Sequence, residues 1–345
     1  MNDECKVSQH AGISRADFLR LGGAALLGAT EMIPFSSAEE DTPADHADKT
    51  SNVWMMPPSY QNGRCIRDLF KSPAQWTETR KLIQGIGYAD HCFATQFSDS
   101  ELKSIFSMIN SWGLALGLEV GAVKPWGVTG EATFKAENPM WKRFQSLGAK
   151  IAAIGMDEPF CAVRSSIHKP DEYAVNETAN FISLVRGGYP DLMVGDIEPY
   201  PYFSVQELTN WIDSLQSKLS SMQTKGMDFF RLDVDWVSFN LAGKGSWQDV
   251  KTIEQYCRQK GLKFSLIYWA SDFPQLQRLG IANDATWYVS VMQQAYDYAM
   301  VGGKPDQYMV ESWVDGPEIM APDSGDFTFT RSVRDISRMI ARKIS

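Results

Sequence analysis

Carboxylates recur at the ends of strand-like segments along the chain. LALGLEV carries Glu119 near its end. IAAIGMDEP runs to Asp157 and Glu158, LMVGDIEP to Asp196 and Glu198, FFRLDVDW to Asp233 and Asp235, and QYMVESW to Glu311. Stretches of helical periodicity lie between them. IAAIGM and FSLIYWA are unbroken apolar runs, which suits parallel strands covered by helices and not strands with one wet face. Repeated β-then-α units of this kind predict an α/β chain closed as a (β/α)8 TIM barrel, whose functional side chains gather at the C-terminal strand ends. A doubly wound open sheet is the structural rival. It would carry a Gly-rich phosphate loop after its first strand, and MPPSYQNGR is not such a loop.

Eight units can be read in order. Strands are expected at Val53–Met56, Tyr88–Phe93, Leu114–Val120, Ile151–Met156, Leu192–Ile197, Phe229–Val234, Lys263–Trp269 and Gln307–Glu311. SPAQWTETRKLIQGI reads as a helix with Ser72 as N-cap and Pro73 at its first position. Ser98 with Glu101 makes a capping box for the next helix, which Gly113 ends. Ala285–Met300 could be strand by its β-branched content. The spacing of Trp287, Val291, Ala295 and Tyr298 decides for helix.

The 345 residues exceed the roughly 250 of a single barrel. At the N-terminus, Ser14-Arg15-Ala16-Asp17-Phe18-Leu19-Arg20 precedes the small, apolar run LGGAALLGA. This resembles the bacterial twin-arginine export signal, with Ala16 where the second arginine belongs. The expected division is an export segment over 1–38, a flexible linker over 39–52 and a catalytic barrel over 53–345. Export to a periplasmic or extracellular location follows as an expectation. No run of 18 apolar residues suggests a membrane span. A net charge of -9 argues against nucleic-acid or anionic-membrane partners. Cys65, Cys92, Cys161 and Cys257 are widely spaced and form no CxxC pair, so buried thiols are expected and a zinc cluster is not. Oligomeric state cannot be read from the sequence.

Asp157-Glu158-Pro159 is the sharpest motif. A carboxyl that must donate a proton at neutral pH needs burial or neighbouring negative charge to raise its pKa, and Glu158 stands among carboxylates. The motif resembles the Asn-Glu-Pro setting in which many secreted barrel glycoside hydrolases hold their acid/base glutamate at the end of strand four, with Asp157 in place of the asparagine. That resemblance implies a glycosidase acting on a poly- or oligosaccharide, Glu158 as general acid/base, and no cofactor. It also implies a nucleophile at the end of strand seven. Here that strand ends Tyr268-Trp269-Ala270-Ser271, with no carboxylate before Asp272. The partner carboxylate is therefore sought elsewhere: Glu311 first, then Glu198, then Asp233 or Asp235. Asp196 and Glu198 share a face, as do Arg231, Asp233 and Asp235. If the last of each set points into the mouth, Arg231 can pair with Asp233 and keep it ionised.

Substrate contacts are expected from Asp157, Glu119, Asp233, Asp235, Trp126, Trp236, Tyr268, Trp269 and Trp313. Sugar rings stack their C–H faces on aromatics and need polar partners for their hydroxyls. Trp54 is also placed at a strand end, whereas Trp76, Trp112, Trp141, Trp211, Trp247 and Trp287 fall on helices and pack. His91 and His168 are too few for a His-rich metal site or a Ser-His-Asp triad. Two other classes remain. One is a metal-dependent sugar isomerase or lyase with Glu158, Glu198 and Asp235 holding Mg²⁺ or Mn²⁺ and Lys124 or His91 as base. The other is a barrel that binds glycans without cleaving them.

Overall fold

A computed structural model describes residues 52–59, 61–240 and 242–344. The expected export segment and almost all of the linker lie outside the described residues. Eight parallel strands close in sequence order: β1 Val53–Met56, β2 Gly85–Ala89, β3 Ala115–Val120, β4 Ile151–Asp157, β5 Met193–Tyr200, β6 Phe229–Val234, β7 Lys263–Tyr268 and β8 Gln307–Glu311. β8 pairs back onto β1, with Glu311 opposite Met56. The chain is a (β/α)8 TIM barrel.

The helices that cover it are α1 Arg64–Lys71, α2 Thr77–Leu82, α3 Asp90–Gln96, α4 Asp99–Ser111, α5 Gly130–Ser146, α6 Pro159–Ala162, α7 Asp171–Gly188, α8 Val205–Ser221, α9 Trp236–Asn240, α10 Trp247–Gln259, α11 Phe273–Leu279, α12 Asp284–Met300 and α13 Phe329–Ile344. The Ser98–Glu101 capping box is present at α4, and Gly113 follows that helix at φ 64°. Ser204 and Glu207 form a second box at α8. Ala285–Met300 is helical, as its period requires. Among the described residues no helix is long and apolar enough to cross a membrane. Cys65, Cys92, Cys161 and Cys257 are buried, and among the described residues they form no disulfide.

Two expected elements differ. Residues 72–86 do not form one helix: a 3-10 turn at Pro73–Trp76 leads into the short α2, and Gly85 and Ile86 already belong to β2. The side chain of Ser72 makes no cap. The expected strand at Tyr88–Phe93 is accordingly shifted toward the N-terminus, and Asp90 starts a helix. Glycine explains the misreading. Gly85 and Gly87 weaken a strand signal, but the indole of Trp54 fills the barrel floor, and a Cβ on Gly85 would come within 2.6 Å of it. Trp54 is thus buried packing at the bottom of the barrel, hydrogen-bonded through Nε1 to Gln84, and not a residue of the mouth.

The interior follows the same exchange of large against absent side chains. Phe229 lies against Gly195, and Ile197 against Gly155. A Cβ on Gly195 would sit 2.1 Å from Phe229 Cε2. Gly195→Ala is expected to cost about 2–3 kcal/mol, because the whole Phe229 ring would have to shift and the void beside it has room for little more than one water. Denaturant unfolding measures this, and a loss below 0.5 kcal/mol would show that the floor repacks freely (about the range of a neutral surface change). Above Phe229 lies a cavity of about 10 Å³, lined by Trp54, Gly117, Glu119, Gly155, Arg231 and Met309 among others.

Candidate active site

Strand alternation decides which acids reach the barrel axis. Glu119 on β3 and Arg231 on β6 line the axial cavity. Glu311 and Asp233 stand in the same electrostatic group: Glu311 acts on Glu119, Arg231 and Asp233 or is acted on by them. Asp157, at the end of β4, is ion-paired with Lys124 Nζ at 2.5 Å. Glu158 is the next residue. Its backbone is left-handed, φ 46° and ψ 50°, and its N–H donates to Ile197 O at 3.0 Å. A non-glycine residue in that conformation costs about 1–3 kcal/mol and persists where the surroundings over-determine it. Here the Pro159 ring opens α6 directly behind it, and β5 holds its N–H.

Burial, then the charge of Asp157, raises Glu158 to about 7, with Lys124 opposing. Glu119 is raised to about 8 by burial and then by Asp157. Glu311 is fully buried and lies well above the carboxylate range, from burial and then Glu119. Glu119 and Glu311 face each other closely enough to share a proton. Asp233 is raised well above its ordinary value by burial and then by the charge of Glu158, while the Trp269 indole opposes the rise. Burial works against the Lys124 ammonium, but Asp157 and Glu158 outweigh it and its pKa stands above the ordinary value.

Arg231 does not serve Asp233 as expected. Its Nε donates to Ser265 Oγ at 3.0 Å and its Nη2 to Gln307 Oε1 at 2.6 Å, so it closes the floor of the cleft. Its charge acts on Glu311 and Glu119.

The β5 pair is also turned the other way. Asp196 accepts from Trp211 Nε1 on α8 at 2.6 Å, so its side chain points outward to the helices. Glu198 shares that face. It accepts from Phe160 N at 2.7 Å and Cys161 N at 3.2 Å, and so anchors the turn that carries Glu158. The expectation that Glu198 points into the mouth is corrected, because the inward positions of β5 are Gly195 and Ile197. Glu198→Ala would leave two buried N–H groups unpaired. It is expected to cost about 2–4 kcal/mol in chemical unfolding, and a cost near zero would show that water replaces the carboxylate.

Tyr268 is likewise corrected. It stacks on Tyr308 with centroids 6.1 Å apart and is buried near Glu254, on the helix side of the sheet. Trp269, one residue on, is partly buried at the inward position, and its edge meets Trp313 at 6.0 Å. Trp236 donates to Ser290 Oγ at 3.1 Å. Trp126 is 57% exposed on the loop after β3. Asp235 accepts from Ser238 N and Ser238 Oγ, and so bonds the first turn of α9. With Glu198 and Asp235 so engaged, the expected metal trio with Glu158 is not assembled. Among the described residues no three His, Cys, Asp or Glu side chains could hold a metal ion. His91, at the start of α3, lies within the field of Asp157 and Lys124, and burial lowers its pKa.

Two further groups lie beside these residues, of which Tyr202 carries no functional expectation from the sequence and Asp272 marks only the end of the strand-seven segment. Tyr202 is 47% exposed, meets Phe203 edge-on at 4.8 Å and feels the charges of Cys161 and Glu158. Asp272 is raised to about 6 by burial, against a hydrogen bond from Ser290. The aromatic-rich run IEPYPYF was the available signal for Tyr202.

No protein-family model matches the chain, and no curated protein does. Among solved structures it is similar to a xylose isomerase domain containing protein from Salmonella typhimurium, with 12% identity, 88% of this chain and 100% of that one covered, and TM-score 0.47. A D-psicose 3-epimerase from Clostridium cellulolyticum H10, with D-tagatose, matches at 11% identity over 85% of this chain and 99% of that one, TM-score 0.47. A mutant xylanase A from P fluorescens subsp. cellulosa, in complex with xylopentaose, matches at 11% identity over 85% and 98%, TM-score 0.47. At such identities and scores these likenesses bear on neither substrate nor reaction.

Proposed function

We propose that this chain is a glycoside hydrolase acting on a poly- or oligosaccharide, with Glu158 as general acid/base and Asp233 as its partner carboxylate. One observation carries the reading. Glu158 is held in a strained backbone conformation at the end of β4, and its carboxyl is raised to about 7, so it keeps a proton for a leaving oxygen near neutral pH. Asp233 replaces Glu311 as first choice of partner, because the charge of Glu158 acts on it directly. Glu198 is set aside, because its oxygens are used by Phe160 N and Cys161 N.

The charge of Glu158, when it is ionised, holds back ionisation of Asp233. Asp233 first releases its proton to solvent, so that the single negative charge of the pair rests on Asp233 and the proton on Glu158. Positive charge developing at an anomeric carbon stabilises that Asp233 carboxylate, while Glu158 gives its proton to the departing oxygen. Trp269 and Trp313 supply apolar faces near Asp233, and the exposed Trp126 supplies one near the Asp157–Lys124 pair.

The test is release of reducing ends from a broad polysaccharide panel by wild type and Glu158→Gln, each with and without EDTA. Release that survives EDTA and collapses in the variant supports the reading. Release abolished by EDTA would turn the case to a metal enzyme, and full activity in the variant would remove Glu158 from its role.

A further inference from the structure

The turn that carries Glu158 continues into an aromatic stack. Phe160, in that turn, stacks on Trp211 of α8 at 4.7 Å with planes 4° apart, and on Phe203 at 4.5 Å and 22°. Arg164 sits over the Phe160 ring at 4.4 Å and is itself fixed by Asp171 and Glu207. The Trp211 indole donates to Asp196, and Phe160 N donates to Glu198. Phe160, Phe203 and Trp211 are all buried. The stack comes to the surface at Tyr202, which meets Phe203 at 4.8 Å with planes 86° apart and is nearly half exposed.

This exposed ring has a defined place. It lies just past the end of β5, whose neighbours in the barrel are β4, which leads into Glu158, and β6, which carries Asp233. Loops that follow the strands build the C-terminal face. Burial raises the Tyr202 phenol first, and the charge of Glu158 adds to the rise, so the hydroxyl lies in the field of the acid. A tyrosine that only packed would be covered, as Phe203 is. A ring that is braced from behind and bare in front offers an apolar body and a polar tip, and loses little freedom when a ligand settles on it. The C–H faces and hydroxyl edges of a sugar match both.

We propose that Tyr202 is the platform for the sugar on the leaving side of the bond that is broken. This rests on the glycosidase reading and adds the part of the substrate that departs. The side follows from the roles of the two carboxyls. Asp233 meets the anomeric carbon, and Trp269 and Trp313 stand on its side, after β7 and β8. Glu158 meets the oxygen of the departing sugar, and Tyr202 is the exposed ring that direct ring contacts join to the Glu158 turn. A platform there is of use only where the leaving group is itself a sugar. The substrate is then a chain of sugars and not the glycoside of a small alcohol.

The test uses cellohexaose, xylohexaose, mannohexaose and laminarihexaose with the full chain. Binding is measured by isothermal titration in the Glu158→Gln background, so that nothing is consumed. Adding Tyr202→Ala is expected to weaken at least one hexamer about tenfold. Tyr202→Phe, which keeps the ring, should retain most of the affinity and guards against a folding defect in the alanine variant. With Glu158 intact, the same hexamer is labelled with heavy oxygen at its reducing end and its fragments are weighed. Tyr202→Ala should move the cut toward the reducing end, because fewer sugars then settle on the leaving side. A general loss of stability would slow the reaction without moving the cut. Unchanged affinity and an unmoved cut in Tyr202→Ala would overturn the proposal and leave the glycosidase reading standing. Weaker binding with an unmoved cut would place Tyr202 off the leaving side and overturn it as well. Tyr202-dependent binding with no cleavage of any hexamer would overturn the assigned side together with the glycosidase reading.

Discussion

Glu158→Gln is expected to lower kcat on a glycan with an unactivated leaving group by about a thousand-fold, within the usual span for a lost general acid. The amide keeps the volume and the left-handed backbone, so the stability of the barrel should hardly change. The deficit has a chemical signature. An aryl glycoside with a good leaving group needs no proton, so the loss should shrink on it, whereas a folding defect would lower both substrates alike. The pH profile gives a second check. Glu158 must be protonated to act and ionises near 7, so wild-type kcat/KM should fall as pH rises through about 7. The variant should lack that limb. Asp233→Asn should be as damaging, but with no relief on the activated substrate, since it removes the group that meets the anomeric carbon. A variant Glu158→Gln that retains a tenth of wild-type turnover on unactivated glycans would rule out its assigned role.

The barrel and its acidic strand ends were legible because length, order and chemistry of the segments are written locally. Val53–Met56, Phe229–Val234 and Gln307–Glu311 came out with the expected bounds. The direction in which each acid points was not legible. A strand buried on both faces is apolar at every position, so the alternation that marks inside from outside in a half-wet strand is missing. In β6 the inward set is Phe229, Arg231 and Asp233, and reading from the last acid inward succeeds for Asp233. In β5 the same rule fails, because Gly195 takes the inward place that Phe229 needs and sends Asp196 and Glu198 outward. Tyr268 and Trp269 differ by one residue and therefore by a whole face of the sheet. The partner of Arg231 was hidden for a different reason: Ser265 and Gln307 lie on other strands, and their polar side chains carry no signal of what they touch.

The fold should be more stable in mild acid than in mild base. Asp90 is buried against Trp141 Nε1 and raised to about 7 by burial. Asp196, behind β5, is raised to about 8, again by burial, and Glu119 to about 8. Glu137 and Glu311 stand well above the range from burial first and neighbouring acids second. In the unfolded chain such groups titrate near 4. Between about 4 and 8 the folded state therefore binds more protons than the unfolded one, and stability falls as pH rises through that window. The opposite case is present at Glu101 and Glu207, both lowered to about 2 by arginine partners, whose contribution is lost as pH falls below about 4. These two are partly exposed, so solvent screens their ion pairs and they weigh little. A maximum at about pH 4 follows. From pH 5 to pH 8 a loss of at least ~2 kcal/mol, or roughly 5 °C in Tm, is expected. Thermal unfolding followed by tryptophan fluorescence across that range measures it. Asp90→Asn isolates one contributor: the amide oxygen still accepts from Trp141, but the site no longer titrates. The variant should flatten the decline and gain stability at pH 8 relative to wild type. A Tm that rises from pH 5 to pH 8 would mean that these acids are paired or hydrated in solution, and the same result would remove the physical basis for a proton held between Glu119 and Glu311.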